Sequence, residues 1–547
     1  MDARLRSLPG FARRPREAYV ARGAWGQAPI WSRVREVAKT DPGRLAVVDS
    51  VGRWTYGELW SETLRTADAI ESSGLEARDI ALVQLPNWRE YLAVELACEL
   101  TRVVFAFCPI QWGQRETATA LALLRPKLWF TTNQPRAGDD RRTLIAGALE
   151  SSSTRPGLVL FRSSQTADGG DAGAWIARGA RSASRDREGG RGDDLLEIAV
   201  TSGSTGEPKG VLHVHDSALA TVGSTITRQG ITSRDVIHLA IPVGHTFGYF
   251  YGVRCALQAG ATLVLQERWD AREMRELVVR HGVTISLGPS AFILDLLALP
   301  PEELRALSGM WLFTHSGDSL PGPTARRAQA TLPFRISRAL GMTEFGHSTS
   351  TDAGTPPGPS VESLGTPQPE MELKIADDAG RTRAPRQEGR ILVRGPFLLA
   401  GYVTRDAVNE NVLDADGYFD TGDLGYVDEA GYLTITGRVK LVIRRGAETV
   451  PVALLEDVIA ELPEVAHAVV VGLPDERFGE APVACVQTRA GCTLDFAHLT
   501  AAFEARGITK KFWPVRMETI DEWPIGPTGK IDRRMIAERV SMAGQGR

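Results

Sequence analysis

At 547 residues the chain is too long for one ordinary core, so two or more domains are implied. Its 43% hydrophobic and 24% charged residues fit a water-soluble globular protein, and 63 basic against 67 acidic residues leave no electrostatic reason to expect nucleic acid. Cys98, Cys108, Cys255, Cys485 and Cys492 form no CxxC pair, which points to buried thiols in a reducing compartment and away from a zinc site or a disulfide frame.

No uninterrupted apolar stretch is long enough to span a bilayer, and the arginine-rich start is not followed by an apolar signal segment. A cytoplasmic protein with no membrane partner is the expectation. Residues 1–40 read as an irregular arm with a helical end. Leu45-Ala-Val-Val-Asp and Trp54-Thr-Tyr-Gly-Glu-Leu read as a hairpin leading into a helix. Residues 80–85 form an apolar strand, 91–100 a helix and 103–107 another strand, the alternation of a doubly wound α/β domain. The stretch 164–194 is rich in Gly, Ser, Asp and Arg and is expected to be a mobile loop.

The apolar run Ile198-Ala199-Val200 then leads into Thr201, Ser202, Gly203, Ser204, Thr205, Gly206, Glu207, Pro208, Lys209 and Gly210. Glycines let backbone N–H groups form an anion nest, hydroxyls add donors, and Lys209 supplies a positive charge. The order is not that of a Walker A loop. Further strand–loop units follow. Residues 236–241 run into Pro242-Val-Gly-His245-Thr-Phe-Gly248, and 261–265 is a buried strand. Residues 285–289 lead into a helix, 311–314 open onto His315-Ser-Gly317-Asp318-Ser319, and 335–340 open onto Gly341-Met342-Thr343-Glu344. Polar, glycine-rich loops at strand ends are where open α/β sheets bind ligands. After about residue 365 antiparallel strands are expected at 389–395 and 431–437. Gly437-Arg438-Val439-Lys440 is a plausible domain joint, followed by a small α+β region with strands at 465–472 and 483–487.

Five motifs in order, TSGSTGEPKG at 201–210, GMTE at 341–344, YFDTGDLG at 418–425, GRVK at 437–440 and PTGK at 527–530, resemble the adenylate-forming superfamily of acyl-CoA synthetases, adenylation domains and luciferases. The closest texture is the aryl or alicyclic acid:CoA ligase group. The resemblance implies a large N-terminal domain, 1–437, of doubly wound α/β subdomains plus a small β-rich subdomain. A hinge at 438–441 and a small mobile α+β C-terminal domain at 442–547 complete the implied fold. It implies ATP, Mg2+ and CoA: an acid attacks the α-phosphate, pyrophosphate leaves, and a thiol then displaces AMP. It leaves the oligomeric state open, a homodimer among the options.

The resemblance also implies roles. Residues 201–206 with Lys209 would wrap the outer phosphates, Thr343 would touch the α-phosphate, and Glu344 with Thr201 would hold Mg2+. Asp423 would accept from the ribose hydroxyls and Arg438 would contact ribose or phosphate. Gly317, Asp318, Ser319, Leu340, Gly341 and Met342 would border the nucleotide. Lys530 would bridge the carboxylate and the α-phosphate during adenylation. His245, Thr246, Phe247, Gly248, Tyr249, Ser316, Gly341, Met342 and His347 would lie beside the acid, with His245 also among the catalytic candidates. The aromatics there favour a ring-bearing acid.

Three positions depart from the pattern. Leu340 replaces an aromatic residue that would stack on adenine, Leu441 replaces a commonly acidic residue, and Ala447 replaces the second glycine of the Arg445-Gly446 hinge loop. An alanine there narrows the expected pantetheine path and disfavours a positive φ by roughly 1–2 kcal/mol. Two readings besides the ligase therefore stay open: a diazotase that activates nitrite and passes it to an aryl amine, and a catalytically silent nucleotide-binding paralogue.

Overall fold

The computed structural model describes residues 16–544 apart from 137–138, 153–154, 164–169, 180–186, 202–207, 319, 405–407, 410–411, 440–442, 446–447, 451, 476–478 and 526–530. Two nine-stranded sheets, among the described residues, form the bulk of the chain. In the first, Ile80–Val83, Val104–Phe107 and Leu128–Thr131 are short apolar runs buried on both faces, the condition that lets neighbouring strands run parallel. Leu195–Thr201 joins them in parallel, then turns back antiparallel into Lys209–Val214, which pairs with Gly401–Val403. A Cβ at Gly210 would lie 2.5 Å from side-chain carbons of both Ile198 and Val403, so only glycine lets these three strands close up.

The second sheet runs parallel from Leu45–Asp49 through Thr262–Leu265, Val236–Leu239, Ile285–Gly288 and Leu312–Ser316 to Arg335–Met342. Gly346–Ser350 then folds back antiparallel. Carboxyl ends of its strands carry the segments 242–248, 316–318 and 341–344, so parallel order alone gathers distant motifs at one rim. The expected hairpin Leu45–Asp49 with Gly52–Thr55 leads into the helix Tyr56–Ser72, which Thr55 and Glu58 start with a capping box.

A buried charge cluster clamps the two sheets together. Arg254, in the π-helical turn Tyr249–Arg254 beside the second sheet, reaches Glu95 (3.3 Å) and Glu99 (3.0 Å) on the helix Arg89–Thr101. It also reaches Glu197 (3.3 Å) on a strand of the first sheet. Three acids face one guanidinium. Burial, opposed by Arg254 and reinforced by Glu95, pushes the Glu197 carboxyl up to about 7.

After residue 365 the expected change of texture is present as an antiparallel sheet of Glu372–Ala376, Gly389–Arg394, Phe419–Val427 and Leu433–Arg438. A last sheet contains Val465–Asp475, Gly479–Thr488 and Arg516–Thr519, with the helices Val452–Ala460 and Arg533–Gly544 packed on it. The apolar clusters divide with the fold: one group of side chains ends at Leu433 and the next begins at Ile443. The chain therefore has a large N-terminal α/β domain and a small C-terminal one. Of the expected joint, residues 440–442 lie outside the described residues.

Two expectations are corrected. The stretch 164–194 contains the helix Ala172–Gly179, whose Trp175 is buried and donates to Ser73 Oγ at 3.0 Å, while Arg187 pairs with Asp68 and Glu71. Its polar composition concealed the Ala-Trp-Ile face that packs on the helix Tyr56–Ser72. Cys492 is half-exposed in the turn after Gly479–Thr488, whereas the other four cysteines are buried. No described helix is long and apolar enough to cross a membrane.

Candidate active site

Lys209 opens its strand at the rim of the first sheet, and Glu344 lies in the turn between Arg335–Met342 and Gly346–Ser350 at the rim of the second. They are 135 residues apart, yet Lys209 Nζ donates to Glu344 Oε1 at 3.0 Å. Tyr402, on the strand beside Lys209, donates its hydroxyl to the same oxygen at 2.8 Å and lays its ring 3.8 Å from the ammonium. The Leu399 N–H donates to the Glu344 carbonyl at 2.7 Å, and His213 Nε2 donates to the Thr343 carbonyl at 2.7 Å. The turn carrying Thr343 and Glu344 is thus pinned from three sides. Neither Tyr402 nor His213 was singled out from the sequence, since each sits in an ordinary strand pattern. Thr201 lies opposite Lys209 in the strand ladder. Ser202, Gly203, Ser204, Thr205 and Gly206 lie outside the described residues, as do Ser319, Lys440, Leu441, Ala447 and Lys530.

Asp423 and Arg438 face each other across two antiparallel strands, and Arg438 Nε donates to Asp423 Oδ1 at 2.5 Å. The second oxygen, Oδ2, is buried with no hydrogen-bond partner among the described residues. Burial pushes this carboxyl above the ordinary range and Arg438 opposes the shift. A buried acceptor without a donor costs free energy until a ligand hydroxyl supplies one.

Gly317, just past the strand Leu312–Ser316, has φ +96°, which favours glycine. Asp318, expected to border the nucleotide, has its carboxylate engaged within the protein. It accepts from Ser290 N and Oγ (2.6 Å) and from His315 Nε2 (3.0 Å). Burial would raise this carboxyl, but the His315 and Ser290 bonds outweigh it and hold it below the usual range. Leu340 is packed in the main core, its N–H donating to Thr349 Oγ1 at 3.4 Å.

Candidates for the acid pocket separate into two groups. A Cβ on Gly341 would lie 2.7 Å from the His347 ring and 2.8 Å from Ser316 Oγ, so these three converge; Met342 is the next residue along. His347 stacks on Tyr251 at 3.6 Å, and Phe247 lies 5.7 Å from it. Burial pushes the His347 imidazole down to about 3, so it is neutral, and its buried Nε2 has no hydrogen-bond partner among the described residues. His245 caps the short turn Thr246–Gly248, its Nδ1 accepting from Phe247 N at 3.2 Å. That bond puts the ring proton on Nε2 when the imidazole is neutral. Tyr249 is drawn away from the others: its hydroxyl donates to Glu95 at 3.0 Å and its ring packs on Phe107. The charge cluster captures it, which a reading of the local motif could not foresee.

Residues 34–403 match the family model of the AMP-binding enzyme, and 454–530 match that of the AMP-binding enzyme C-terminal domain. The chain is 28% identical to a medium-chain fatty-acid–CoA ligase of Escherichia coli (strain K12), over 97% of this chain and 94% of that one. It is also 28% identical to a salicylyl-CoA synthase / salicylate adenylyltransferase of a Streptomyces species, over 97% and 98% of the two chains. ATP-bound MatB from Rhodopseudomonas palustris superposes with a TM-score of 0.81 at 25% identity, over 93% of this chain and 98% of that one.

Proposed function

We propose, from the premise that this chain belongs to the family of AMP-binding enzymes, that it activates an aromatic or alicyclic carboxylic acid with ATP and passes the acyl group to the thiol of CoA. The observation that carries the first step is the 3.0 Å contact between Lys209 and Glu344. Two motifs from different sheets put a cation for phosphate and a carboxylate for a metal ion at one point. An acid oxygen forms a bond to the α-phosphorus as the bond to pyrophosphate breaks, leaving an acyl adenylate. Sulfur of the thiol then bonds to the acyl carbon, AMP departs with the C–O electron pair, and the thiol proton goes to solvent.

The residues divide this work between them. Lys209 leaves Glu344 to neutralise charge on the outer phosphates, Thr343 offers a hydroxyl to the α-phosphate, and Asp423 Oδ2 receives the ribose hydroxyls. Glu344 and Thr201 fit a Mg2+ ion that arrives with the nucleotide, because one carboxylate, one hydroxyl and phosphate oxygens are a typical oxygen donor set for it. When bound, that ion supplies charge neutralisation at the phosphates. Lys530, on the C-terminal domain, bridges the acid and the α-phosphate.

A ring-bearing acid is supported by the aromatic wall of Phe247, Tyr251 and neutral His347 beside Gly341. The Streptomyces relative, named for salicylate, agrees with it. The nitrite reading rested on Ala447, which lies outside the described residues, and no described residue favours it. A thioester assay with ATP, CoA and a panel of aryl acids tests the proposal. One or more acids should give an acyl-CoA and AMP. Pyrophosphate release with nitrite plus an aminoaryl acid, and no thioester from any acid, would contradict it.

A further inference from the structure

The geometry points to Tyr402 as the positioning residue that keeps Glu344 in place for a metal–nucleotide complex after Lys209 has turned to the phosphates. The inference rests on the nucleotide-activating reading above and goes beyond it by assigning a residue outside all five motifs. In the resting arrangement Glu344 Oε1 accepts from two donors, Lys209 Nζ at 3.0 Å and the Tyr402 hydroxyl at 2.8 Å. Glu344 is buried while the Lys209 side chain is one-third exposed, so the lysine is the partner with room to move.

When phosphate draws the ammonium away, the carboxylate loses one of these donors. Tyr402 then holds it. Its backbone cannot follow Lys209, because Tyr402 is registered against Val211 and Val403 against Gly210 in the strand ladder. The adjoining segment is tied as well: Leu399 N donates to the Glu344 carbonyl and Ala400 N to the Leu212 carbonyl, both at 2.7 Å. The phenol therefore approaches from a fixed frame, on the same side as the lysine, and leaves Oε2 of Glu344 to a metal ion. Its ring performs a second task, since an ammonium 3.8 Å from an aromatic centroid is attracted to the face. Lys209 is thereby kept at the rim before nucleotide arrives.

The test is calorimetric titration of the full chain with α,β-methylene-ATP across a Mg2+ series, which reads binding without turnover. Tyr402→Phe keeps the ring and removes the donor. It should raise the Mg2+ concentration needed for half-maximal binding roughly tenfold, the scale of one hydrogen bond to a charged group, and leave metal-free binding unchanged. In a Glu344→Ala background the same substitution should add nothing. Tyr402→Leu, which also removes the ring, should weaken metal-free binding as well. An unchanged Mg2+ requirement in Tyr402→Phe beside normal native binding overturns the role of Tyr402 and spares the proposed function. An equal effect with and without Glu344, or a lower melting temperature at constant metal dependence, assigns Tyr402 to packing and also overturns it. A native chain that fails to bind the analogue at any Mg2+ concentration overturns the nucleotide reading and this role together.

Discussion

Asp423 gives one carboxylate oxygen to Arg438 and keeps the other buried, with no partner among the described residues. Replacing it by Ala removes acceptors for two ribose hydroxyls, each worth about 1.5–3 kcal/mol when charged and buried. Calorimetry should therefore show ATP affinity falling by at least tenfold. Its pH dependence follows from the same burial. The carboxyl is held above its ordinary value, so it loses its charge earlier than a free aspartate as pH falls. Ribose binding that needs the carboxylate should weaken as pH drops through that raised value, while Asp423→Asn should bind weakly with no such slope. Asp423, Arg438 and Glu344 were legible in the sequence because short motifs name them. Tyr402 was not, since its meaning depends on Lys209 and Glu344, neighbours only after folding. Asp318 is expected from its motif to border the nucleotide; that its carboxylate serves Ser290 and His315 is visible only in the fold.

Strands were the most readable elements. Apolar runs such as Ile80–Val83 and Val104–Phe107 are buried on both faces, and that burial is written in their composition. The helix Ala172–Gly179 was unreadable because its reason to form is a docking surface on another helix. The strip from Pro242 to Tyr249 shows the same limit. The whole of it is expected beside the acid, whereas Arg254 and Glu95 turn Tyr249 inward, and Phe247 and Tyr251 lie beside His347. Arg254→Met should cost about 3–5 kcal/mol in urea unfolding at pH 8, because Glu95, Glu99 and Glu197 lose their buried counter-charge. The loss should shrink on moving to about pH 5.5, since burial already raises all three carboxyls and protonation relieves the unpaired charge. A constant loss at both pH values would show that Arg254 acts by packing alone.

Across the whole molecule the two domains meet where Asp457, on the helix Val452–Ala460, accepts from Gly322 N at 3.2 Å. Arg326 reaches Glu461 at 3.6 Å in the same interface. Arg533 lies close enough to Asp318 for their charges to act on each other. Lys530→Ala should retain ATP binding and lose nearly all acid-dependent pyrophosphate release, because a charge that bridges acid and phosphate acts on the transition state. Release within a few-fold of the native rate would remove Lys530 from the reacting groups.

Acyl-adenylate formation is the central step, and exchange of labelled pyrophosphate into ATP reads it with no thiol present. With Mg2+ and a panel of aromatic and alicyclic acids, one or more acids should drive exchange in the absence of CoA, and Asp423→Ala should slow it at subsaturating ATP. Failure of every acid to drive exchange, by a native chain that binds ATP, would contradict the account and mark a nucleotide-binding protein without the chemistry.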